Sequence, residues 1–520
     1  MNTNGRSTFR AVPARCTWLK LAVLLVGLDG VGARNAPAAN LPLRGSRPNI
    51  LLIITDDQGY GDLSLHGNPV LRTPNMDCLG REGVRFEDCQ VSPTCSPTRA
   101  ALMTSAHEFR NGVTHTILER ERLSLRATTL AQVLKGAGYA TGIFGKWHLG
   151  DEAAYQPERR GFDEVFIHGG GGIGQTFPGS CGDVPSNRYF DPVIRHNGRF
   201  VRTRGFCTDV FFAEAARWIA SQAKKGPWFA YLAPNAPHAP YVAPENYRQR
   251  FVGRVPAGTE GFFGMIENLD DNLGRLRKYL QHLGLDRDTL IIFMTDNGSA
   301  AGSKVFNAGM RGAKGTPWNG GTRVPLFIAW PGRISTGVCR RLVAHLDLLP
   351  TLAELAGADV SAEVRLRWEG RSLVPLLENP EADWPERFLF THVGRWPRGA
   401  DPDQYKYVNC AVRWGRYHMV SVPGRSKSGA TPNWELFDLD KDPAEQTNLA
   451  AEHPDIVQTL ARAYDAWWDS IRGCLENEQA KPPPQNPFKV WFWEQFGPGA
   501  TAAPNCPLPE AARWMPPEGW

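Results

Sequence analysis

Outside Leu19–Leu28 the sequence has no long apolar run, so nothing in the body of the chain reads as a membrane span. It has little excess charge. A formal net charge of +5 over 520 residues, with no stripe of interleaved basic and aromatic residues, gives no case for a nucleic-acid partner. None of its ten cysteines stands in a C-x-x-C pair, which removes the common zinc frameworks. No G-x-x-x-x-G-K-[ST] loop is present, which removes a phosphate-cradling nucleotide site, and no internal repeat is found. Hydrophobic content of 42% and charged content of 21% are those of a folded globular protein. The length exceeds a single ordinary core and suggests two domains.

The N-terminus has the layout of an export signal. Arg6, Arg10, Arg15 and Lys20 form a basic region, Leu19–Leu28 a short apolar core, and Val31-Gly32-Ala33 and Ala36-Pro37-Ala38 supply small residues. The apolar core is too short to span a bilayer. We expect residues 1–39 to be signal and leader, and the protein to be exported, to a periplasm or the outside, or to a lysosome-type compartment in a eukaryote. Cys16 leaves with the signal. With Cys95 set aside, Cys78, Cys89, Cys181, Cys207, Cys339, Cys410, Cys474 and Cys506 remain. Their even number in an exported chain suggests disulfides, with sequence neighbours as the first pairings to test.

Asn49–Thr55 is a continuous apolar run of strand length, as in a parallel strand buried on both faces. It ends in Asp56-Asp57-Gln58-Gly59. Leu290–Thr295 repeats the pattern and ends in Asp296-Asn297-Gly298. In open α/β sheets ligands sit beyond the carboxyl ends of strands. Three carboxylates and an amide there are hard oxygen ligands, suited to Ca²⁺ or Mg²⁺; a helix cap and a solvated acid is the plainer alternative for either pair alone. Between these runs a helix over 127–135, stopped by Gly136, precedes a short strand carrying Lys146 and His148. Residues two apart on a strand share a face, so an anion contact and a proton carrier stand side by side. Gly169–Gly172 reads as a flexible rim loop. Pro227–Ala233 is another strand and leads to His238 among prolines. Lys314 lies in a glycine-rich loop. After about Pro375 shorter strands with turns suggest a smaller antiparallel domain, and the tail, rich in proline and aromatics, suggests an arm over the body. The fold class is therefore α/β: a large mixed, mostly parallel sheet flanked by helices over residues 40–380, and a C-terminal subdomain on a short antiparallel sheet over 381–520.

The stretch Cys95–Thr104 organises the rest. Pro97 fixes φ and removes a donor, which places Cys95 in a rigid turn with helix from Thr98 onward. The helix N-terminus and Arg99 then present the cysteine to an anion. A buried structural cysteine is the plain alternative.

With C-x-P-x-R at Cys95 to Arg99 stand Asp56-Asp57, G-K-W-H-L-G at Gly145 to Gly150, Pro237-His238, T-D-N-G from Thr295 with R-G-x-K-G ending at Gly315, and ELFDLDKDPAEQTNLA ending at Ala450. In this order they resemble a type I sulfatase of the arylsulfatase branch of the alkaline-phosphatase-like superfamily, over Pro48 to Ala450. The resemblance implies hydrolysis of a sulfate ester, either an aryl sulfate or a sulfated carbohydrate. It implies that a formylglycine-generating enzyme oxidises Cys95 to formylglycine, and that one Ca²⁺, ahead of Mg²⁺, is held by Asp56, Asp57, Asp296, Asn297 and residue 95. One hydroxyl of the hydrated aldehyde attacks sulfur, losing its proton towards Asp296 or Asp57. His238 or Lys314 protonates the leaving alcohol, and His148 takes the proton of the second hydroxyl as sulfate departs. Arg99, Lys146 and Lys314 supply positive charge. Where the family continues L-x-T-G-R, this chain reads Leu102-Met103-Thr104-Ser105-Ala106. Two rival readings are a phosphatase or phosphodiesterase of the same superfamily, and an inactive relative that binds sulfated glycans.

Overall fold

The computed structural model describes residues 42–177, 182–422 and 432–503. The expected export signal, residues 1–39, and Cys181 and Cys506 lie outside them. The apolar runs become strands: β1 Asn49–Thr55, β2 Val84–Gln90, β3 Ala140–Lys146, β4 Glu164–His168, β5 Val193–His196, β6 Arg199–Arg202, β7 Trp228–Ala233, β8 Thr289–Thr295, β9 Arg323–Ala329, β10 Gly337–Cys339 and β11 Val343–Ala344. They form one mixed sheet in the order β10-β2-β9-β8-β1-β7-β3-β4-β5-β6, with β11 beside β2. The centre, from β8 to β4, is parallel. Antiparallel β9 and the β5–β6 pair flank it. This is the mixed, centrally parallel sheet that the continuous apolar runs predicted.

Side chains of a strand alternate between faces. Ile50, Leu52 and Ile54 of β1 therefore pack under the helices Cys95–Thr104, Leu130–Gly136 and Leu348–Ala356. Leu51 and Ile53 pack under Cys207–Gln222 and Glu260–His282. Each fully buried aliphatic contributes about 1.5–3 kcal/mol, so the two covered faces hold the central strand ends in place. The helix read over 127–135 spans Leu130–Gly136, because Thr129 and Gln132 close a capping box at its start.

A second, antiparallel sheet has the order β12 Phe388–His392, β13 Cys410–Trp414, β14 Tyr417–Ser421 and β15 Trp434–Asp438. The helix Pro454–Ile471 lays Leu460, Tyr464, Trp468 and Ile471 against Val412, Met419 and Leu436. The tail does pack on the body: in the helix Pro487–Phe496, Phe488 and Phe492 meet the Phe200 ring of β6 edge-on. A cavity lined by Gln90, Ser92, His345, Phe390 and Trp467 adjoins Glu108. Glu108 is 1% exposed, and burial pushes its carboxyl up to about 8.

The disulfide expectation is corrected. Among the described residues Cys89, Cys95, Cys207, Cys339, Cys410 and Cys474 are unbridged thiols, and Cys78 directs its thiol to Glu82. Most are buried in apolar surroundings, where a thiol behaves as a small hydrophobe. No helix among the described residues is long and apolar enough to cross a membrane.

Candidate active site

The site gathers at the carboxyl ends of four neighbouring parallel strands, β8, β1, β7 and β3. Strands β1 and β8 pair in register, Thr55 with Thr295, so Asp56 and Asp57 emerge beside Asp296 and Asn297. Strand β7 pairs with β3, Ala233 with Gly145. Gly145 has φ 113° and a Cβ there would lie 2.1 Å from the Ala233 carbonyl oxygen, so the G-K-W-H-L-G motif opens with the one residue that fits. Lys146 ends β3, and Pro237-His238 follow β7.

Cys95 is the first residue of the helix Cys95–Thr104, preceded by extended Thr94. This differs from the turn-then-helix reading. Pro97 lies in the first turn, where a backbone donor has no intrahelical partner to lose. The thiol thus sits at a positive helix end, 2% exposed. Burial raises its pKa, yet the ammonium groups of Lys146 and Lys314 outweigh that and hold it below the usual thiol value.

The cations are ordered on the acids. Arg99 is fully buried and its Nε and Nη2 donate to Asp296 Oδ2 at 3.1 and 2.7 Å. It therefore clamps a carboxylate instead of standing open to an anion. Lys146 Nζ donates to Asp56 Oδ2 at 2.7 Å, and Lys314 Nζ lies 2.6 Å from Asp57 Oδ1. Against the effect of burial, Lys314 holds the Asp57 carboxyl far below its ordinary range. Burial, reinforced by the neighbouring carboxylates, pushes Asp56 and Asp296 up, so their charged forms are costly where they stand even with Lys146 and Arg99 beside them.

A cation would relieve that cost. Asp56 Oδ1 and Asn297 Oδ1 are buried and accept no hydrogen bond, while Asn297 Nδ2 donates to Asp57 Oδ1 at 3.0 Å, turning the amide oxygen the other way. Ligand atoms of Asp56, Cys95 and Asp296 lie within 4.8 Å of one another. These donors fit a hard divalent ion.

The histidines differ from the strand reading. Strand β3 ends at Lys146, and His148 lies beyond it with φ 60°, so the two reach the site from a bend and do not share a strand face. His148 Nε2 meets the Thr116 carbonyl at 2.8 Å and Glu121 Oε2 at 3.3 Å. Burial, and then Lys146, lowers its pKa to about 4, which keeps the ring neutral. His238 Nε2 lies 3.8 Å from Asp57 Oδ2, and its Nδ1 is 2.7 Å from the Ala239 carbonyl oxygen.

The glycine run is not a flexible rim. Gly169–Gly172 is buried. Asp151 accepts from the backbone of Gly170 and Gly182, and Asp183 from Gly169 and Gly174, at 2.6–3.2 Å. A Cβ on Gly171 would lie 2.9 Å from His148 Cε1, so the glycine admits the imidazole. Thr116 and Glu121, which touch His148, went unread in the sequence; the only signal was the run of alternating charges from Glu119 to Arg122.

Residues 48–358 match the sequence profile of the sulfatase family, and residues 314–465 that of the C-terminal region of N-sulphoglucosamine sulphohydrolase. Human arylsulfatase A is 34% identical over 461 residues, covering 79% of this chain and 86% of that protein. Human N-acetylgalactosamine-6-sulfatase is 30% identical, covering 92% of each. The crystal structure of Ps i-CgsB in complex with k-i-k-neocarrahexaose superposes with a TM-score of 0.71 at 28% identity, over 86% of this chain and 97% of that one. With its strand-end acids, its cysteine at a helix start and these relatives, the chain belongs to the sulfatase family, whose reaction is the hydrolysis of sulfate esters.

Proposed function

We propose that the protein hydrolyses the sulfate ester of a sulfated carbohydrate at residue 95, after oxidation of Cys95 to formylglycine, with one Ca²⁺. The observation that carries the reading is the convergence of three buried acids and three cations on the helix end at Cys95. Asp56, Asp57, Asp296, Asn297 and an oxygen on residue 95 would hold the ion, which supplies a Lewis-acid charge against the negative charge that gathers on the sulfate oxygens. The hydrated aldehyde supplies two hydroxyls, one to take the sulfuryl group and one to release it, which a serine could not do.

The other roles belong to the chain's own side chains. Arg99 fixes Asp296 by its two-point grip. The Lys146 and Lys314 ammonium groups, already within reach of residue 95's field, stabilise the sulfate as charge builds on it. Lys314 is partly exposed at the side chain, and His238 stands beside the same Asp57; either can hand a proton to the departing alcohol. His148, neutral and with Nδ1 free of hydrogen bonds, can take one. The carbohydrate class is supported by N-acetylgalactosamine-6-sulfatase and the neocarrahexaose complex among the relatives. We further assign export to residues 1–39, the catalytic domain to residues 40–380 and a C-terminal subdomain with a proline- and aromatic-rich tail to residues 381–520.

The test pairs chemistry with kinetics. Protein made with and without a formylglycine-generating enzyme is digested, and the tryptic peptide ending at Arg99 is weighed. Aldehyde content should track turnover of an aryl sulfate, the matched aryl phosphate should turn over far more slowly, and Cys95→Ser should fold but not turn over. Full activity from a preparation holding only the thiol would sink the mechanism.

A further inference from the structure

We propose that Glu121 is a positioning residue for His148: it holds the imidazole in one tautomer so that Nδ1 is the nitrogen that exchanges a proton with the reacting group. The proposal rests on the sulfatase reading above.

Glu119, Arg120, Glu121 and Arg122 alternate in sign, a pattern that ordinarily lies on a solvated face. Here all four are buried, from 0% to 8% exposed. Glu119 pairs with Arg398 at 2.7 Å, Arg120 with Glu478 at 3.0 Å, and Arg122 with Glu152 at 2.8 Å. These three partners come from segments distant in sequence. Glu121, 0% exposed, turns inward to His148 Nε2 at 3.3 Å. The flanking arginines each have a carboxylate of their own, so neither competes for it in these contacts.

The hydrogen-bond chemistry decides the tautomer. Nε2 faces the Thr116 carbonyl at 2.8 Å and the Glu121 carboxylate. A carbonyl and a carboxylate only accept, so Nε2 carries the proton. Nδ1 is buried and has no hydrogen-bond partner, and it keeps its lone pair. A histidine whose distal N–H is held by a backbone carbonyl with a carboxylate 3.3 Å away is fixed in orientation, and the carboxylate stabilises the cation it becomes when the other nitrogen takes a proton.

The brace is anchored at both ends of the site. Ser96, next to Cys95, donates to the Glu121 carbonyl at 3.5 Å. Leu123 N donates to the carbonyl of Leu149, next to His148, at 3.1 Å. The turn bearing Glu121 is thus tied to the residue after the nucleophile's precursor and to the residue after the base. Gly171 packs against the Cε1–Nε2 edge of the ring, and the titratable groups around the ring are Lys146, His115, His168 and Glu121.

Glu121→Gln keeps the volume and the contact but removes the charge. It should lower kcat by about 10- to 100-fold, the usual cost of losing such a partner, with KM and thermal midpoint unchanged and the acid limb of the kcat/KM profile moved. In a His148→Ala background the same change should cost nothing further, because a positioning residue acts only through the group it positions. Independently of turnover, ¹⁵N spectra of the histidine rings, with His148 assigned by its absence in His148→Ala, should show the Nε2-protonated neutral form. In Glu121→Gln the His148 ring should gain its proton only at lower pH. Wild-type kcat and pH profile in Glu121→Gln, an equal loss in both backgrounds, or an Nδ1-protonated ring would each overturn the proposal. The ring spectra decide it even for a preparation that cleaves no sulfate ester, an outcome that would count against the sulfatase reading alone.

Discussion

Lys146 and Lys314 make the same contact with different burial, and replacing each by alanine should separate stability from catalysis. Lys146 and Asp56 are both 0% exposed at the side chain, 2.7 Å apart. At an effective dielectric of about 20 their attraction is about 6 kcal/mol, part of which offsets the cost of burying them. Removing one partner of such a pair leaves an uncompensated charge and costs about 3–5 kcal/mol. Asp56 is poorly placed to absorb the loss, since its Oδ1 already lacks a partner. A chain of this length has an unfolding entropy near 1 kcal/mol per kelvin, so Lys146→Ala should melt about 3–5 °C lower. Lys314 is 20% exposed. Water can reach Asp57 in its absence, and Lys314→Ala should shift the midpoint by no more than about 1–2 °C. Both variants should lose about 100-fold or more in kcat/KM, as expected when one preorganised donor to a developing charge is removed. The assay is scanning calorimetry beside aryl sulfate kinetics, with and without Ca²⁺. Saturating Ca²⁺ should close most of the gap for Lys146→Ala, because the ion takes over the charge of Asp56. Equal midpoints for the two variants, or near-normal kinetics in both, would refute the reasoning.

Asp296→Ala should abolish turnover and also the rise in midpoint that Ca²⁺ gives the wild type, about 3 °C at a hundredfold excess over Kd; an active variant that holds no metal by atomic-emission analysis would remove Asp296 from the site. Gly171→Ala should keep the fold and lower kcat, because its Cβ would press on His148 Cε1 at 2.9 Å; unchanged kinetics would mean that the loop yields. Glu108 gives a pH test. Its folded pKa, about 8 by burial, lies above that of the unfolded chain, so its contribution is full below the unfolded pKa and is lost as pH rises to about 8. Between those limits the wild type should lose roughly 1.4 kcal/mol per pH unit relative to Glu108→Gln. Urea midpoints at two pH values measure this, and parallel lines for the two proteins would contradict it.

The strand ends were legible because a strand buried on both faces must be written as an unbroken apolar run, and the acids that interrupt β1 and β8 stand out against it. The cysteine motif was legible for the same reason, as a break in character before a helix. The partners were not. Arg99 reads as a free cation, yet its carboxylate is Asp296, 197 positions away. Glu121 reads as one of four solvated charges until the turns around it are folded. The glycine run reads as loose because flexibility is a property of glycine alone, whereas Asp151 and Asp183, which pin it, reveal themselves only when their oxygens find its N–H groups. The cysteines misled because an even count says nothing about distance.

The register of β1 with β8 also sets a clock. The acids on one strand precede Cys95, and Asp296 and Asn297 on the other follow it by roughly 200 residues. At the pace of synthesis, about 5–20 residues per second, that stretch takes roughly 10–40 s to emerge. Through that interval Cys95 has left the ribosome but the strand that completes its surroundings has not. Once β8 docks, the thiol is 2% exposed and closed to any catalyst of protein size. The oxidation proposed for Cys95 would therefore belong to the nascent chain, and a molecule that folded unmodified would keep its thiol until it unfolds.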